Sequence, residues 1–168
     1  GAAAPQVGSV GGEWLSLGLA RGGAAVPEGY YEAYRTAAEE YTARRGGVLH
    51  ARKYTEYSRV ILALSALGLD ARNVAGYDLT LPLGDYEKTV QQGINGPVWA
   101  LLALDSRNYP VPENPEAGVQ ASREKYVQQI LSRQNADGGW GLSETSASDP
   151  DVKAMAHQSL EGYRIRPD

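Results

Sequence analysis

Two carboxylates, Asp149 and Asp151, lie two residues apart in the segment Asp-Pro-Asp-Val-Lys-Ala and form the pair best suited to acid chemistry. An Asp followed by Pro is typical of a helix start, where the Asp side chain accepts a backbone N–H and Pro lacks an N–H that would be unpaired anyway. A catalytic acid would instead have to be buried and protonated at neutral pH. The nearby Lys153 favours the ionised form. We therefore predict that the pair caps a helix, with Asp149 and Asp151 as weak candidates for catalysis.

Other catalytic and metal-binding sets are missing from the sequence. The chain has no cysteine, which excludes disulfides and thiolate metal ligands. Its two histidines, His50 and His157, are solitary, and no nucleophile-elbow glycine pattern accompanies them. The glycine pairs lack the strand-then-helix context of a phosphate loop. We predict no metal site and no cofactor.

Trp140 lies between glycines in the segment Gln-Asn-Ala-Asp-Gly-Gly-Trp-Gly. Asp137-Gly138-Gly139 is turn chemistry, so the helix before it must stop there. A large ring in a loop of small residues usually fills a gap between neighbouring helices, and its indole N–H needs an acceptor. We expect Trp140 to be a packing residue, and Trp140 and Trp99 are also weak candidates for ligand contact.

Composition and charge narrow the class of protein. The 168 residues are 42% hydrophobic and 21% charged, which fits one globular domain. A net charge of −4 with mixed signs predicts no nucleic-acid or anionic-membrane surface, since both need a concentrated basic patch. No apolar run is long enough to span a membrane. The 11 tyrosines, with no phenylalanine, either line a half-wet concave surface or fill grooves between helices with their hydroxyls in water.

Helical periodicity runs through most of the chain. Segments 54–67 and 97–105 are apolar on nearly every side, which indicates helices surrounded by other helices. Residues 109–115 contain three prolines and cannot be helical. A linker or cloning remnant is expected at residues 1–12. The predicted helices cover residues 13–20, 27–45, 54–67, 85–92, 97–105, 117–133 and 149–163.

The sequences at the ends of four predicted apolar helices can be aligned with one another. Between each pair lies one more helix, which is usually amphipathic. The repeating unit is therefore a two-helix hairpin, and we predict an all-α fold of α/α-hairpin repeats. The four equivalent ends are Gly18-Leu19, Ala66-Leu67, Ala103-Leu104 and Ser159-Leu160.

Gln134, Gly138 and Trp140 resemble the glutamine–tryptophan repeat motif of the squalene–hopene cyclase and protein prenyltransferase superfamily, whose fold is an α/α toroid. Residues 57–68 and 93–105 resemble further repeats of toroid domains from bacterial cell-surface proteins. These domains are similar to the helical ring of the corrinoid carriers intrinsic factor and transcobalamin. The resemblance implies one partial toroid at residues 13–168, about half a full ring, which further repeats or a second chain would complete.

The same resemblance sets the expected function. The segment from Asp149 resembles the helix start that carries the Asp-x-Asp-Asp-Thr-Ala acid motif of cyclases, with Val152 and Lys153 replacing the third Asp and the Thr. The lack of cysteine removes the zinc ligands of prenyltransferases. We expect a non-catalytic binding or scaffolding module of a bacterial secreted or cell-surface protein, which binds a small molecule, a glycan or a protein. The alternatives are a terpenoid-cyclase-like enzyme fragment with Asp151 as the acid, and a carrier of a corrinoid or another small ligand.

Overall fold

The computed structural model describes Val7 and residues 28–163, and this part of the chain is helical, with isolated bridges in place of β-strands. The prediction of an all-α fold is therefore confirmed for the described residues. The predicted helix at residues 13–20 lies outside them, as does the linker apart from Val7. Two single 3-10 turns, Leu81–Gly84 and Glu161–Tyr163, accompany the α-helices. The α-helices are α1 (Tyr30–Arg44), α2 (Thr55–Ala66), α3 (Tyr86–Val90), α4 (Asn95–Asp105), α5 (Arg123–Ser132) and α6 (Pro150–Leu160).

Helix α5 is shorter than the periodicity predicts, since it begins at Arg123 rather than at residue 117. Ser122 caps it, with its side-chain oxygen accepting a backbone N–H of the first turn at 3.1 Å. Before this cap the chain is extended, and the Val119 carbonyl accepts the N–H of Tyr86 at 3.1 Å. The prediction that placed Val119 on the helix is wrong, because Val119 and Ala121 form backbone hydrogen bonds with Tyr86 and Gly84 around the start of α3.

Helix α4 is the centre of the domain and contacts α2, α3, α5 and α6. It therefore packs directly on both of the alternate helices, α2 and α6. Gly96 lets α4 approach the end of α3 closely, because a Cβ at this position would collide with the carbonyl oxygen of Thr89. Leu101 and Leu104 of α4 are fully buried together with Ile61 of α2. The prediction of a helix surrounded by others is confirmed for α4, and α2 is buried along most of its length with α4 as its main helical contact.

Three buried tyrosines bind the backbone of the connecting loops. Tyr57, Tyr109 and Tyr126 are at most 2% exposed. A backbone N–H of the α1–α2 loop donates to the Tyr57 hydroxyl at 3.1 Å, and an N–H of the α2–α3 connection donates to Tyr109 at 3.0 Å. Tyr126 donates to a carbonyl just before α3. The expectation that such hydroxyls lie in water is wrong for these three, and phenylalanine in their place would leave buried loop groups unpaired.

Within residues 28–163 no helix combines the length and the apolar character needed to cross a membrane.

Candidate functional site

The carboxylate pair lies at the start of α6. Asp149 is the N-cap, and its Oδ1 accepts the N–H groups of Asp151 at 2.8 Å and of Val152 at 3.0 Å. The capping prediction is confirmed for Asp149, whereas Asp151 lies in the first turn and does not cap it. Asp151 is exposed in the first turn, where the helix dipole favours a negative charge. Asp151 therefore lies at the surface rather than in the enclosed cavity that a catalytic acid would need.

The segment from Gln134 to Trp140 folds into the tight turn that its sequence predicts. Gly138 has a φ of 79°, a left-handed conformation that favours glycine. The Asp137 carboxylate accepts the N–H of Gly139 at 2.8 Å, and the Gln134 amide donates to the Gly138 carbonyl at 2.9 Å. Gln134 thus closes the turn from the end of α5 and sets the position from which Trp140 enters the core.

Trp140 packs between α5 and α6 and is 1% exposed. Its indole N–H donates to the Ile130 carbonyl at 2.7 Å, which ties the loop to the last turn of α5. The ring also meets His157 of α6 edge-on, with a centroid distance of 5.3 Å. The packing prediction is therefore confirmed in both respects: the ring fills a gap between helices, and its N–H has an acceptor. A ring buried to this degree offers no surface to a ligand.

Trp99, the other tryptophan candidate, lines a groove of about 860 Å³ between α2, α4, α6 and the C-terminal 3-10 turn. The floor of the groove is apolar and comes from three helices: Leu62 of α2, Trp99 and Leu102 of α4, and Met155 of α6. Trp99 and Leu102 share one face of α4 because they are three residues apart. The groove thus opens on the exposed sides of the same helices whose opposite sides form the core.

A polar cluster closes the groove at the C-terminal end of α4. The Arg123 guanidinium donates to the Asp105 carboxylate at 3.1 Å and to the backbone carbonyl of Tyr109 at 2.6 Å. The Tyr163 hydroxyl donates to the same carboxylate at 2.8 Å. Three separate elements are held together in this way, since Asp105 ends α4, Arg123 begins α5 and Tyr163 follows α6.

The electrostatics of the cluster favour binding rather than proton transfer. Burial raises the pKa of Tyr163 above its ordinary value of 10.0, and the Asp105 carboxylate raises that pKa further, while Arg123 opposes the shift. The hydroxyl is therefore protonated at neutral pH and acts as a hydrogen-bond donor. Arg123 and Asp105 neutralise each other, so the cluster presents fixed polar atoms with little net charge. Glu161 adds a negative charge at the rim of the groove.

Sequence reasoning identified Trp99 but missed Asp105, Arg123 and Tyr163. In the sequence, Asp105 ends a buried apolar helix, and Arg123 lies in the middle of a predicted helix that is longer than the observed α5. One signal was available, because Asp105 lies on the same helical face as Trp99 and Leu102, at the next third residue. A polar residue that continues an apolar face at a helix end is a reason to look for a partner.

Among the residues that the structure describes, no three His, Asp or Glu side chains converge as metal ligands would. His50 acts locally, since its Nδ1 accepts the N–H groups of Arg52 and Lys53. No protein-family model, no curated protein and no solved structure matches the chain.

Proposed function

We propose that this chain is a non-catalytic binding module of a bacterial secreted or cell-surface protein, and that its groove takes a small molecule with an apolar body and a neutral polar head. The observation that carries the proposal is the groove itself, whose apolar floor ends in a fixed polar cluster. Its volume of about 860 Å³ falls in the range of small-molecule pockets.

The direction of a bound ligand follows from the order of residues along α4. Trp99 and Leu102 precede Asp105 and Ser106 by one to two helical turns, so the apolar body would lie toward the middle of the helix and the head toward its C-terminus. An anionic head is disfavoured there, because Asp105 and Glu161 carry negative charge and the guanidinium of Arg123 is already paired. A hydroxyl head would be able to bond with these groups without that repulsion.

A partial α/α toroid is the architecture that we propose for the described helices. Its support is the packing of α4 on both alternate helices, α2 and α6, which suits hairpin repeats, and the turn built by Gln134, Gly138 and Trp140. Such a half ring leaves two repeat edges for further repeats or a second chain, which is the scaffolding role. The bacterial and extracellular setting rests on the resemblance to cell-surface toroid domains alone.

Two other functions remain outcomes of the test. A terpenoid-cyclase-like fragment would need Asp151 as an acid, and the exposure of that side chain gives this function no support. A corrinoid carrier would use the groove for a far larger ligand. Both are distinguished from the proposal by the ligand or product that is found.

Titration calorimetry with farnesol, which has an apolar chain and a hydroxyl head, tests the proposal. We expect one-to-one binding of farnesol. Leu102→Glu should lower its affinity at least about tenfold, because the apolar chain of the ligand would have to displace water from the new carboxylate on the groove floor. Leu131→Glu is the matched control, because Leu131 is 42% exposed on α5 away from the groove, and it should leave the affinity unchanged. Dodecanoate, with an anionic head, should bind more weakly than farnesol.

Each contrary result points to a different function. Binding of cyanocobalamin that depends on Leu102, without binding of farnesol, would assign a corrinoid carrier. A chito-oligosaccharide that binds instead would assign a glycan module, and cyclised product from squalene would assign an enzyme. If no probe binds to a folded chain, the groove is not a small-molecule site and the proposal is wrong.

A further inference from the structure

The connection between α1 and α2 carries a local excess of positive charge. Residues 44–53, named here the basic loop, read Arg-Arg-Gly-Gly-Val-Leu-His-Ala-Arg-Lys and contain four cations and no acid. Because the whole chain carries −4 and the basic loop +4, the rest of the chain carries −8. The net charge of the whole chain, which predicts no anionic partner, does not show this local concentration of positive charge.

The four cationic side chains of the basic loop are exposed and are not paired with acidic side chains of the described residues. Arg44, Arg45, Arg52 and Lys53 are all exposed, and none of them forms an ion pair with an acid of the described residues. Arg44 and Arg45 donate only to backbone carbonyl groups, and Arg45 also stacks over the ring of Tyr41 at 4.4 Å. Their charge is therefore available to an external anion.

The basic loop has a defined shape. Leu49 is fully buried, and its N–H is the group that the Tyr57 hydroxyl accepts at 3.1 Å. His50 fixes the second half of the loop, since its Nδ1 accepts the N–H of Arg52 at 3.0 Å and of Lys53 at 2.9 Å. The loop backbone is therefore held at two points. Because it is already ordered, it loses less conformational entropy on binding than a flexible segment would.

The two most exposed large apolar side chains among the described residues lie toward this same end of the domain. Val48, in the basic loop, is 55% exposed, and Leu142, in the α5–α6 loop, is 63% exposed. The start of α2 is tied to the turn before α4 by the N–H of Thr55, which donates to Gln92 at 2.8 Å. A Cβ on Gly93 in that turn would come within 3.7 Å of the Leu142 carbonyl. The start of α2, which directly follows the basic loop, and the loop that carries Leu142 thus flank one turn.

From these placements we propose that this end of the domain docks on an anionic lipid bilayer, with the basic loop on the lipid headgroups and Val48 and Leu142 inserted between them. Exposed cations next to protruding apolar side chains suit a bilayer surface, where charge attracts and apolar groups enter the interface. A nucleic acid would be met by aromatic rings that stack on its bases, whereas the His50 ring holds the loop backbone and the neighbouring Tyr41 ring is covered by Arg45. The docking end is distinct from the groove, which lies along the later turns of α4.

Co-sedimentation with phosphatidylcholine vesicles, made with or without phosphatidylglycerol, tests the proposal on the intact chain. We expect binding only to the anionic vesicles, and weakening as salt rises from about 0.05 M to about 0.5 M. Each neutralised cation should lower the partition coefficient about fivefold, so Arg52→Gln with Lys53→Gln should lower it about 25-fold. The matched control is Arg72→Gln with Arg107→Gln, which removes the same charge beyond the C-terminal ends of α2 and α4 and should have little effect.

The apolar residues give the test that separates a bilayer from other polyanions. Val48→Ser with Leu142→Ser should lower vesicle binding several-fold while leaving its salt dependence unchanged, because both residues are uncharged. Duplex and single-stranded DNA should bind more weakly than anionic vesicles in fluorescence anisotropy. Equal binding to neutral vesicles, an equal loss in the control pair, or DNA binding without vesicle binding would each overturn the proposal. Circular dichroism of every variant confirms that the fold is retained.

Discussion

Replacing Trp140 with Ala should destabilise the domain by about 3–5 kcal/mol, the range for deleting a packed large aromatic side chain. The structure supports the upper part of this range. The ring is 1% exposed, so little of its volume can be replaced by water, and the Ile130 carbonyl loses its donor at 2.7 Å. The edge-on contact with His157 is lost as well. Trp140→Phe separates the contributions, since it keeps much of the ring and removes the N–H, at a cost of about 1–3 kcal/mol.

Urea unfolding followed by far-UV circular dichroism measures these changes in the free energy of unfolding. Leu142→Ala is the matched control, because Leu142 lies in the same loop and is 63% exposed, and its substitution should change stability by less than about 0.5 kcal/mol. A Trp140→Ala loss no larger than that of the control would refute the reasoning. It would show that the loop stands away from the core in solution and that the ring is free for a ligand.

Three further changes test other contacts. Asp149→Ala should cost about 1 kcal/mol in urea unfolding through the lost cap, whereas Asp151→Asn should be nearly neutral; a larger loss for Asp151 would contradict the assignment. Gly96→Ala should cost about 1–3 kcal/mol by forcing α4 away from Thr89, and an unchanged melting temperature would show that the two helices are less close. Burial raises the pKa of Tyr126 above its unfolded value of 10.0. Above about pH 10 the unfolded chain therefore releases a proton that the native chain retains, and the free energy of unfolding falls as the pH rises. Tyr126→Phe should make this fall shallower in urea unfolding at a series of pH values above about pH 10.

The parts of the fold that could be predicted from the sequence are those fixed by local chemistry. The cap at Asp149, the turn at Gly138 and the ends of α1, α2 and α6 depend on interactions within a few residues. The burial of α2 and α4 can also be predicted, because a helix that is apolar on every side is stable only when other elements cover it. Trp140 belongs to this class, since its glycine neighbours leave the ring as the only large group available to fill the gap.

The parts that could not be predicted depend on contacts between distant segments. The start of α5 is set by pairing with the segment before α3, which outcompetes a helical pattern that is sound in isolation. The buried tyrosine hydroxyls form hydrogen bonds with backbone groups of the loops. The sequence around Tyr57 and Tyr109 does not indicate which backbone groups these are. The polar cluster of the groove is the extreme case, because Asp105 and Tyr163 are 58 residues apart and meet only when α4 and α6 have packed.

The two proposed surfaces lie toward opposite ends of α4, and this separation has a consequence for their energetics. The helix has 11 residues and spans about 15 Å, with the basic loop beside the turn that precedes it and the polar cluster beyond its last residue. Side chains this far apart, with no shared partner, contribute additively to within about 0.5 kcal/mol. Val48→Ser should then leave farnesol affinity unchanged, and Leu102→Glu should leave vesicle binding unchanged. A substitution at one surface that alters binding at the other would mean that α4 moves as the ligand binds, and the rigid picture of two independent surfaces would have to be abandoned.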